Sequence, residues 1–325
     1  MSEKTIQLVE AVPSALHGAR LDAALTDMLG DFSRGLVQKW IKEGGVCLNG
    51  QVCTKPKTRV STGDVVELNG TFEVQGDWQP EDICVPVLYE DEQLIVVNKP
   101  VGLVVHPGNG HWQDTMINGL LARYPELAQL PRAGVVHRLD KDTSGVLVVA
   151  RDPRAHASLV AQLQERAFAR TYLAIVNEVP IGGGTVDAPI GRHPIHRTRM
   201  SVVEGGKEAV THYKVKEKFR RHALLEVKLE TGRTHQIRVH MSHIGHPLVG
   251  DGLYGGRPKL PQSPSETLVE AIRGFRRQAL HAAVLGLSHP VTGQWMQWQA
   301  PVPDDMAHLL DVLREDKERS SDPLD

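Results

Sequence analysis

Cysteine is scarce in this chain, whose 325 residues include only Cys47, Cys53 and Cys84. An odd number of cysteines excludes a fully paired disulfide framework, and their spacing does not match that of a zinc site. We therefore interpret the three side chains as reduced thiols, which is typical of a cytoplasmic protein.

Long apolar runs are also missing. No stretch approaches the ~18 consecutive apolar residues that cross a bilayer. The first ten residues, MSEKTIQLVE, contain no apolar core of a secretory signal. The sequence therefore predicts a soluble cytoplasmic protein without a membrane partner.

The chain has no excess of positive charge and few aromatic residues. Its formal net charge is −2, and 5% of its residues are aromatic, so any surface for nucleic acid must be local. Hydrophobic residues make up 41% of the chain. That content and this length are sufficient for one large core or for two domains.

Residues 17–75 have the pattern of a small domain with two helices and a β-hairpin. Apolar residues at helical spacing predict one helix over 20–30, and Ser33 is interpreted as the cap of the next. The pair Asn49-Gly50 predicts a hairpin, because a type I′ turn needs positive φ at both central residues.

Basic side chains cluster on the second helix and the hairpin of this module. They could form an ordinary solvated face, but we favour a surface for RNA phosphates, because Lys and Arg on one face hold a nucleic-acid backbone whatever its sequence. The residues are Arg20, Arg34, Lys39, Lys42, Lys55, Lys57 and Arg59.

The motifs of the module resemble the small RNA-binding domain named after ribosomal protein S4. They are Arg20-Leu21-Asp22, Ser33-Arg34, the spacing of Val37 and Ile41, and Val46-x-Leu48-Asn49-Gly50. The resemblance implies that the paired helices and the hairpin grip structured RNA.

A second domain is expected over residues 85–313, after a linker at 76–84 and before a polar tail at 314–325. Strands such as LIVVNKP, GVLVVAR and TYLAIV are separated by turns, and one clear helix is predicted after a cap at Asp152. Because βαβ alternation is rare, we predict an α+β domain with a mixed, largely antiparallel sheet and flanking helices.

A dense polar loop joins two apolar runs in GVVHRLDKDTSGVLVVAR, residues 134–151. Asp140 in this loop is either part of a structural ion pair or a functional carboxylate. A second polar segment, LETGRTHQIRVHMSHIGHPLVGD, follows another predicted strand. An arginine from that segment could pair with Asp140 and keep it ionised, as nucleophilic or base catalysis requires.

The histidines of the second segment allow a metal site to be considered. His240, His243 and His246 are spaced by three residues, and imidazole is a common zinc ligand. However, no carboxylate completes a zinc-hydrolase pattern, and Pro247 interrupts the segment. We therefore expect no metal ion, and neither a phosphate-binding loop nor a dinucleotide fingerprint indicates another cofactor.

A basic stretch over residues 192–221 contains nine Lys and Arg residues and three Glu. Although a solvated face is an alternative, we favour an RNA contact that includes Arg197 and Arg199.

The two polar segments together resemble the RluA-type pseudouridine synthases. The resemblance rests on His137-Arg138-Leu139-Asp140 with Ser144-Gly145, and on the run from Gly232 to Arg238, GRTHQIR. It also includes YEDEQLIVVNKPVGLVVHPG, RTYLAIV and HPLVGDGLYGG, which together extend over most of the chain.

The resemblance implies a role for each matching residue. Asp140 would be the catalytic aspartate, Arg233 the arginine paired with it, and Tyr172 the tyrosine that packs on the uracil. Arg138 would fill the space that the flipped base leaves in the RNA. The substrate-binding set would be Arg138, Ile237 and His137.

The implied reaction converts uridine to pseudouridine without a cofactor, after the base is extruded from its stack. The resemblance also implies a target in 23S ribosomal RNA, the helix 69 stem-loop, either in free RNA or within the assembling large subunit. We expect a monomer. The alternative is an RNA-binding assembly factor that has lost catalysis.

Overall fold

The computed structural model describes residues 3–29, 34–73, 78–106, 113–196 and 199–319. Within the chain there are two compact units, Met1–Gln79 and Pro80–Asp325. Two predicted features, the cap at Ser33 and the RNA contact Arg197, lie outside the described residues.

The first unit combines two helices with a four-stranded antiparallel sheet in the order β1-β4-β2-β3. The first helix, α1 (Leu21–Leu29), lies within the range that the apolar spacing predicted, and the second, α2 (Arg34–Lys42), begins directly after the predicted cap position. The strands are β1 (Glu3–Ala11), β2 (Val46–Leu48), β3 (Gln51–Val52) and β4 (Val65–Glu73). Strand β1 precedes residue 17, so this unit begins earlier than the sequence predicted.

The predicted hairpin is present between β2 and β3. Cys47 pairs with Val52 and Leu48 with Gln51, and the two turn residues, Asn49 and Gly50, have φ of 51° and 77°. Positive φ at both positions is the requirement of a type I′ turn, so the local sequence alone specified this feature.

An ion cluster around Asp22 joins the two helices of the first unit. The Asp22 side chain is fully buried and accepts hydrogen bonds from Arg20, from Arg34 and, at 2.6 Å, from Gln38 Nε2. Burial by itself raises the pKa of Asp22, but these hydrogen bonds outweigh it and hold the pKa well below its usual range. Arg20 and Arg34, predicted to bind RNA, therefore donate to a buried carboxylate.

The second unit is built around a nine-stranded sheet in the order β5-β6-β7-β14-β8-β13-β12-β9, with β15 also paired to β14. The strands of the unit are β5 (Val87–Glu90), β6 (Leu94–Lys99), β7 (Ser144–Ala150), β8 (Ala169–Asn177), β9 (Gly184–Asp187), β10 (Ile190–Arg192), β11 (Met200–Val202), β12 (Val210–Lys218), β13 (His222–Leu229), β14 (Leu280–Ser288) and β15 (Trp295–Gln299).

Pairing in this sheet is antiparallel except between β7 and β14, among the strands that the structure describes. Strands β10 and β11 form a separate antiparallel pair. A mixed, largely antiparallel sheet is therefore confirmed for this unit. The parallel pair brings Ser144 beside His281, which fixes the start of β7 in the middle of the sheet.

Among the described residues, five α-helices flank this sheet: α3 (Met116–Arg123), α4 (Pro153–Gln164), α5 (Gln236–His243), α6 (Glu266–Gly274) and α7 (Asp304–Arg319). The predicted cap of α4 is present, because Asp152 accepts hydrogen bonds from the N–H groups of Arg154 and Ala155 at 2.7 and 2.9 Å. None of the described helices is long and apolar enough to cross a membrane.

Both ends of the second unit differ from the predicted boundaries. Residues 80–84 were expected to be linker, but Glu81 donates its N–H to the Asn118 carbonyl at 3.0 Å, which ties this segment to α3. The predicted polar tail from residue 314 is partly wrong, because α7 continues to Arg319. Arg314 pairs with Glu217 at 2.9 Å, and the buried Asp316 pairs with Arg220 at 3.1 Å.

We expect Asp22→Asn to destabilise the first unit, because it leaves two arginines without their carboxylate. The free energy of opening α1 and α2 should fall by about 3 kcal/mol at pH 7, as when one partner of a buried ion pair is removed. Hydrogen exchange of the amides in both helices, followed by mass spectrometry on the full chain, measures this.

The stabilisation should also depend on pH. Because the folded-state pKa of Asp22 is lowered, its contribution is fully present above roughly pH 5 and is lost as the pH falls towards the folded-state pKa. Asp27→Asn, at an exposed position of the same helix, is the matched control. Equal exchange in the two variants would contradict a stabilising role for the Asp22 cluster.

Candidate active site

The polar loop before β7 is held in one conformation by backbone contacts. The Thr143 N–H donates to the Asp140 carbonyl at 3.0 Å, which closes a tight turn around Lys141 and Asp142. Gly145, the second residue of β7, has a φ of 117°. A Cβ at that position would come within 2.1 Å of the Ala282 carbonyl oxygen, so only glycine lets β7 lie this close to β14.

A buried lysine braces the same loop from the end of β6. Lys99 is fully buried, and its Nζ donates to the carbonyls of Pro100, Leu103 and Lys141 at 2.8, 2.9 and 2.9 Å. Burial lowers the pKa of Lys99 to about 8. The sequence analysis did not identify this residue, although a lysine that ends an apolar strand was visible in LIVVNKP.

The Asp140 carboxylate is held by Arg238. Arg238 Nη1 lies 2.9 Å from Asp140 Oδ2, while His235 Nε2 lies 3.9 Å from Oδ1. The side chain of Asp140 remains 20% exposed, so one side of the carboxylate is open. The loop therefore presents a fixed anion that a ligand can reach.

The predicted partner of Asp140 was wrong. Arg233 does not pair with this carboxylate, and its Nε donates instead to the Glu208 carbonyl at 2.8 Å. The physical reason is the geometry of the segment: Arg233 lies in the turn before α5, whereas Arg238 lies within the helix and is carried to the Asp140 loop. Arg233 does line the cleft that contains Asp140.

A second carboxylate fixes Arg238 from behind. Asp251 is fully buried and accepts from Arg238 Nε at 2.7 Å and from Nη2 at 3.0 Å. It also accepts from the N–H groups of Leu253 and Tyr254. Burial alone would lower the pKa of Arg238, but its hydrogen bonds and charge interactions with Asp251 and Asp140 outweigh burial and raise it. The guanidinium is therefore a permanent cation with a set orientation.

The turn that leads into α5 is locked by Gln236. Its Oε1 accepts from the Thr231 hydroxyl at 2.8 Å and from the Arg233 N–H at 3.0 Å, and its Nε2 donates to the Val210 carbonyl at 2.9 Å. His235 precedes the helix in a left-handed conformation, with φ of 57°. Such backbone conformations in non-glycine residues are often found at functional sites.

Tyr172 and Ile237 lie beside Asp140, as the resemblance implied. Tyr172 is in β8 and is 8% exposed, Ile237 is in α5 and is 3% exposed, and both line a small pocket with Asp140. Burial raises the pKa of Tyr172, so its phenol is protonated at neutral pH. An apolar and an aromatic side chain thus form a wall next to the carboxylate.

Arg138 and His137 have different environments although they are neighbours in the chain. Arg138 is exposed at the rim of the cleft. His137 is held inward, where its Nε2 accepts from the Val148 N–H at 3.2 Å and its ring meets Phe168 edge to face. Burial, together with the charge of Arg170, lowers the pKa of His137 to about 3. The His137 ring is therefore neutral and shapes the loop.

The cleft that contains Asp140 has a volume of about 740 Å³. Its walls are rich in arginine, with a contribution from each polar segment and from β8. Arg170 Nε is buried without a hydrogen-bond partner among the described residues. The arginines of the lining are Arg132, Arg138, Arg166, Arg170 and Arg233.

The histidines of the second segment are used in separate hydrogen bonds. His240 contacts the Thr211 hydroxyl and the Ala188 carbonyl, His246 contacts the Glu178 carbonyl, and His235 contacts the Tyr254 hydroxyl at 2.9 Å. Within the part of the chain that the structure describes, no group of three His, Cys, Asp or Glu residues could hold a metal ion.

The other predicted RNA contacts lie on the surface of their units. Lys39, Lys42 and Lys55 are exposed in the first unit. Arg199 is half-buried beside the β10–β11 pair, and its N–H donates to the His196 carbonyl at 2.8 Å.

The arrangement combines a reachable carboxylate, a fixed arginine, an aromatic and aliphatic wall, and a basic cleft. A carboxylate in this state can act as a nucleophile or as a base. The arginines around it match an anionic substrate, and the cleft has room for an extruded nucleotide.

Comparison with known proteins identifies the family. The sequence profile of RNA pseudouridylate synthase matches residues 93–243, and that of the S4 domain matches residues 19–66. The chain is 50% identical over 320 residues to an Escherichia coli protein named ribosomal large subunit pseudouridine synthase D, with 98% of both chains covered. A Pseudomonas aeruginosa protein of the same name is 52% identical over 313 residues, covering 96% of this chain and 98% of its own.

Solved structures give the same result. Human RNA pseudouridylate synthase domain containing 4 superposes with a TM-score of 0.54 at 28% identity, covering 70% of this chain and 93% of its own. The resemblance to RluA-type synthases and the predicted fold class are therefore confirmed. The chain belongs to the RNA pseudouridylate synthase family and carries an S4 domain ahead of its synthase domain.

Proposed function

We propose that this enzyme isomerises uridine to pseudouridine in the ribosomal RNA of the large subunit, with Asp140 as the catalytic residue. One observation carries the proposal: the Asp140 carboxylate is open to a basic cleft on one side and fixed by Arg238 at 2.9 Å on the other. The names of the similar bacterial proteins support the substrate.

The target base must leave its stack before Asp140 can reach it. Extruding a base costs a few kcal/mol, and the exposed Arg138 at the rim of the cleft is suited to filling the space that the base leaves. Tyr172 and Ile237 then provide the wall on which the uracil packs, beside the carboxylate.

The reaction is balanced within the substrate. The N1–C1′ glycosidic bond breaks, the C5–C1′ bond forms, C5 loses a proton and N1 gains one. Asp140 can serve as nucleophile at C1′, as nucleophile at C6 of uracil, or as base towards the 2′ hydrogen. All three routes begin from the ionised Asp140 carboxylate, which Arg238 holds in position.

Substrate recognition is expected to involve both units. Lys39, Lys42 and Lys55 in the S4 domain and Arg199 in the synthase domain would contact RNA phosphates. The proposed target is the helix 69 stem-loop of 23S ribosomal RNA, either in free RNA or within the assembling subunit. We propose that the enzyme acts as a monomer in the cytoplasm.

We expect Asp140→Asn to lower the rate of tritium release from RNA labelled at C5 of uridine by at least ~10³-fold, because an amide is neither nucleophile nor base. Binding of 23S ribosomal RNA in a filter assay should change little. Asp142→Asn, two residues away in the same loop, is the matched control and should keep its activity.

Tritium release by Asp140→Asn at the wild-type rate would remove Asp140 from catalysis. If neither the wild type nor the Asp142→Asn control forms pseudouridine in this RNA, the proposed substrate is wrong.

We expect Arg238→Lys to lower kcat by about 100-fold and Arg233→Lys to lower it much less. A lysine keeps the charge but cannot donate in the bidentate manner with which Arg238 holds Asp251 while facing Asp140. Single-turnover kinetics separate this loss from RNA binding. Equal losses in the two variants, or a larger loss at position 233, would contradict the assignment of Arg238.

A further inference from the structure

A second basic pocket is lined in part by the glycine-rich loop that follows α5 and contains Asp251, which we call the Asp251 loop. The pocket has a volume of about 220 Å³, and the end of β8 and the end of α6 complete its lining. Six of its lining residues matter here: Asn177, Gly252, Gly256, Arg257, Arg273 and Arg276. We call it the rear pocket.

The rear pocket carries uncompensated positive charge. Arg257, Arg273 and Arg276 are exposed, and within the described residues none of them takes part in an ion pair. The acidic residue that lines the pocket, Asp251, is already neutralised by the bidentate contact with Arg238. Three arginines therefore face the pocket without a local carboxylate partner.

The pocket also offers hydrogen-bonding groups of both kinds. Asn177 is 3% exposed, and its Oδ1 has no hydrogen-bond partner among the described residues. Its Nδ2 donates to the Pro247 carbonyl at 3.1 Å, which fixes the amide. An unsatisfied buried acceptor is costly, so a ligand hydroxyl that donates to it is favoured.

The backbone of the loop is accessible from the pocket. Apart from the glycine and the residues adjoining it in the chain, no described atom lies within 4 Å of the position that a Cβ would occupy on Gly252 or Gly256. Neither glycine N–H makes a backbone hydrogen bond within the described part of the chain. Free N–H groups in a turn are suited to an anion, and the absence of side chains allows its close approach.

We propose that the rear pocket binds one ribose-phosphate unit of the RNA backbone, outside the cleft that receives the target uridine. The arginines and glycine N–H groups would contact the phosphate, and Asn177 Oδ1 would accept from a ribose hydroxyl. The inference rests on the proposed function, because it requires an RNA substrate. A volume of 220 Å³ has room for a ribose phosphate but not for a dinucleotide cofactor.

The pocket shares the Asp251 loop with the active site. Asp251 lines the rear pocket, and the same residue fixes Arg238. RNA bound there would lie against the loop that positions the cation facing Asp140. The contact would therefore add affinity and register for the substrate without touching the reacting atoms.

The test compares Arg273→Ala/Arg276→Ala with Arg154→Ala/Arg319→Ala. Both double variants lose two positive charges at exposed positions, but the control changes residues outside the rear pocket. The probe is 23S ribosomal RNA transcribed with uridine tritiated at C5. KM, kcat and the dependence of RNA affinity on salt are measured for each.

We expect the pocket variant to raise KM by about 10-fold with kcat at saturating RNA unchanged. The slope of log affinity against log salt concentration should fall by about 0.7 to 0.9, which is the contribution of the one phosphate that the pocket would hold. A KM and salt slope equal to those of the control would overturn the assignment. Failure of the wild type to release tritium would instead refute the proposed substrate.

A free phosphate ion could occupy the rear pocket through the same contacts as an RNA phosphate. Thermal unfolding of the wild type and the pocket variant is therefore also measured with inorganic phosphate. Phosphate-dependent stabilisation that needs Arg273 and Arg276, with a KM that does not change in the variant, would identify a site for free phosphate and overturn the RNA assignment.

Discussion

The guanidinium of Arg238, shared between two carboxylates, is the interaction on which the active site depends. Asp251 takes two of its nitrogens and is fully buried, whereas Asp140 takes a third and remains partly exposed. The buried Asp251 carboxylate sets the orientation of the guanidinium. The guanidinium in turn fixes the position of the partly exposed Asp140 carboxylate. Breaking a buried ion pair costs about 3 to 5 kcal/mol, so the geometry around Asp140 is maintained by the stability of the synthase domain itself.

The rest of the site is arranged around that contact from three directions. Lys99 holds the Asp140 loop through three carbonyl oxygens, and Gly145 allows β7 to lie against β14. Gln236 fixes the turn that starts α5. Lys99 and Gln236 are buried polar side chains whose hydrogen bonds are made, and such groups define one conformation of a loop better than apolar packing does.

Features that depend on neighbouring residues could be predicted from the sequence. Contacts between residues far apart in the chain could not. The Asn49-Gly50 turn and the Asp152 cap depend on neighbouring residues, so their sequence was sufficient. The choice between Arg233 and Arg238 depended on where α5 begins and on which face of the helix meets a loop about 100 positions earlier. Asp251 was hidden for the same reason, since its partner is fixed by the tertiary fold. The motifs identified the segments that form the site, but could not identify the partner of each charge.

The shared guanidinium also determines the electric field of the cleft. One cation between two carboxylates leaves the trio with an excess of one negative charge, located on the exposed oxygen of Asp140. The arginines of the cleft surround this point. An incoming polyanion is therefore attracted by the arginines of the cleft lining and repelled at Asp140. A neutral uracil ring can approach Asp140, whereas a phosphate group is repelled from it, so the field there favours entry of the nucleotide with its base first.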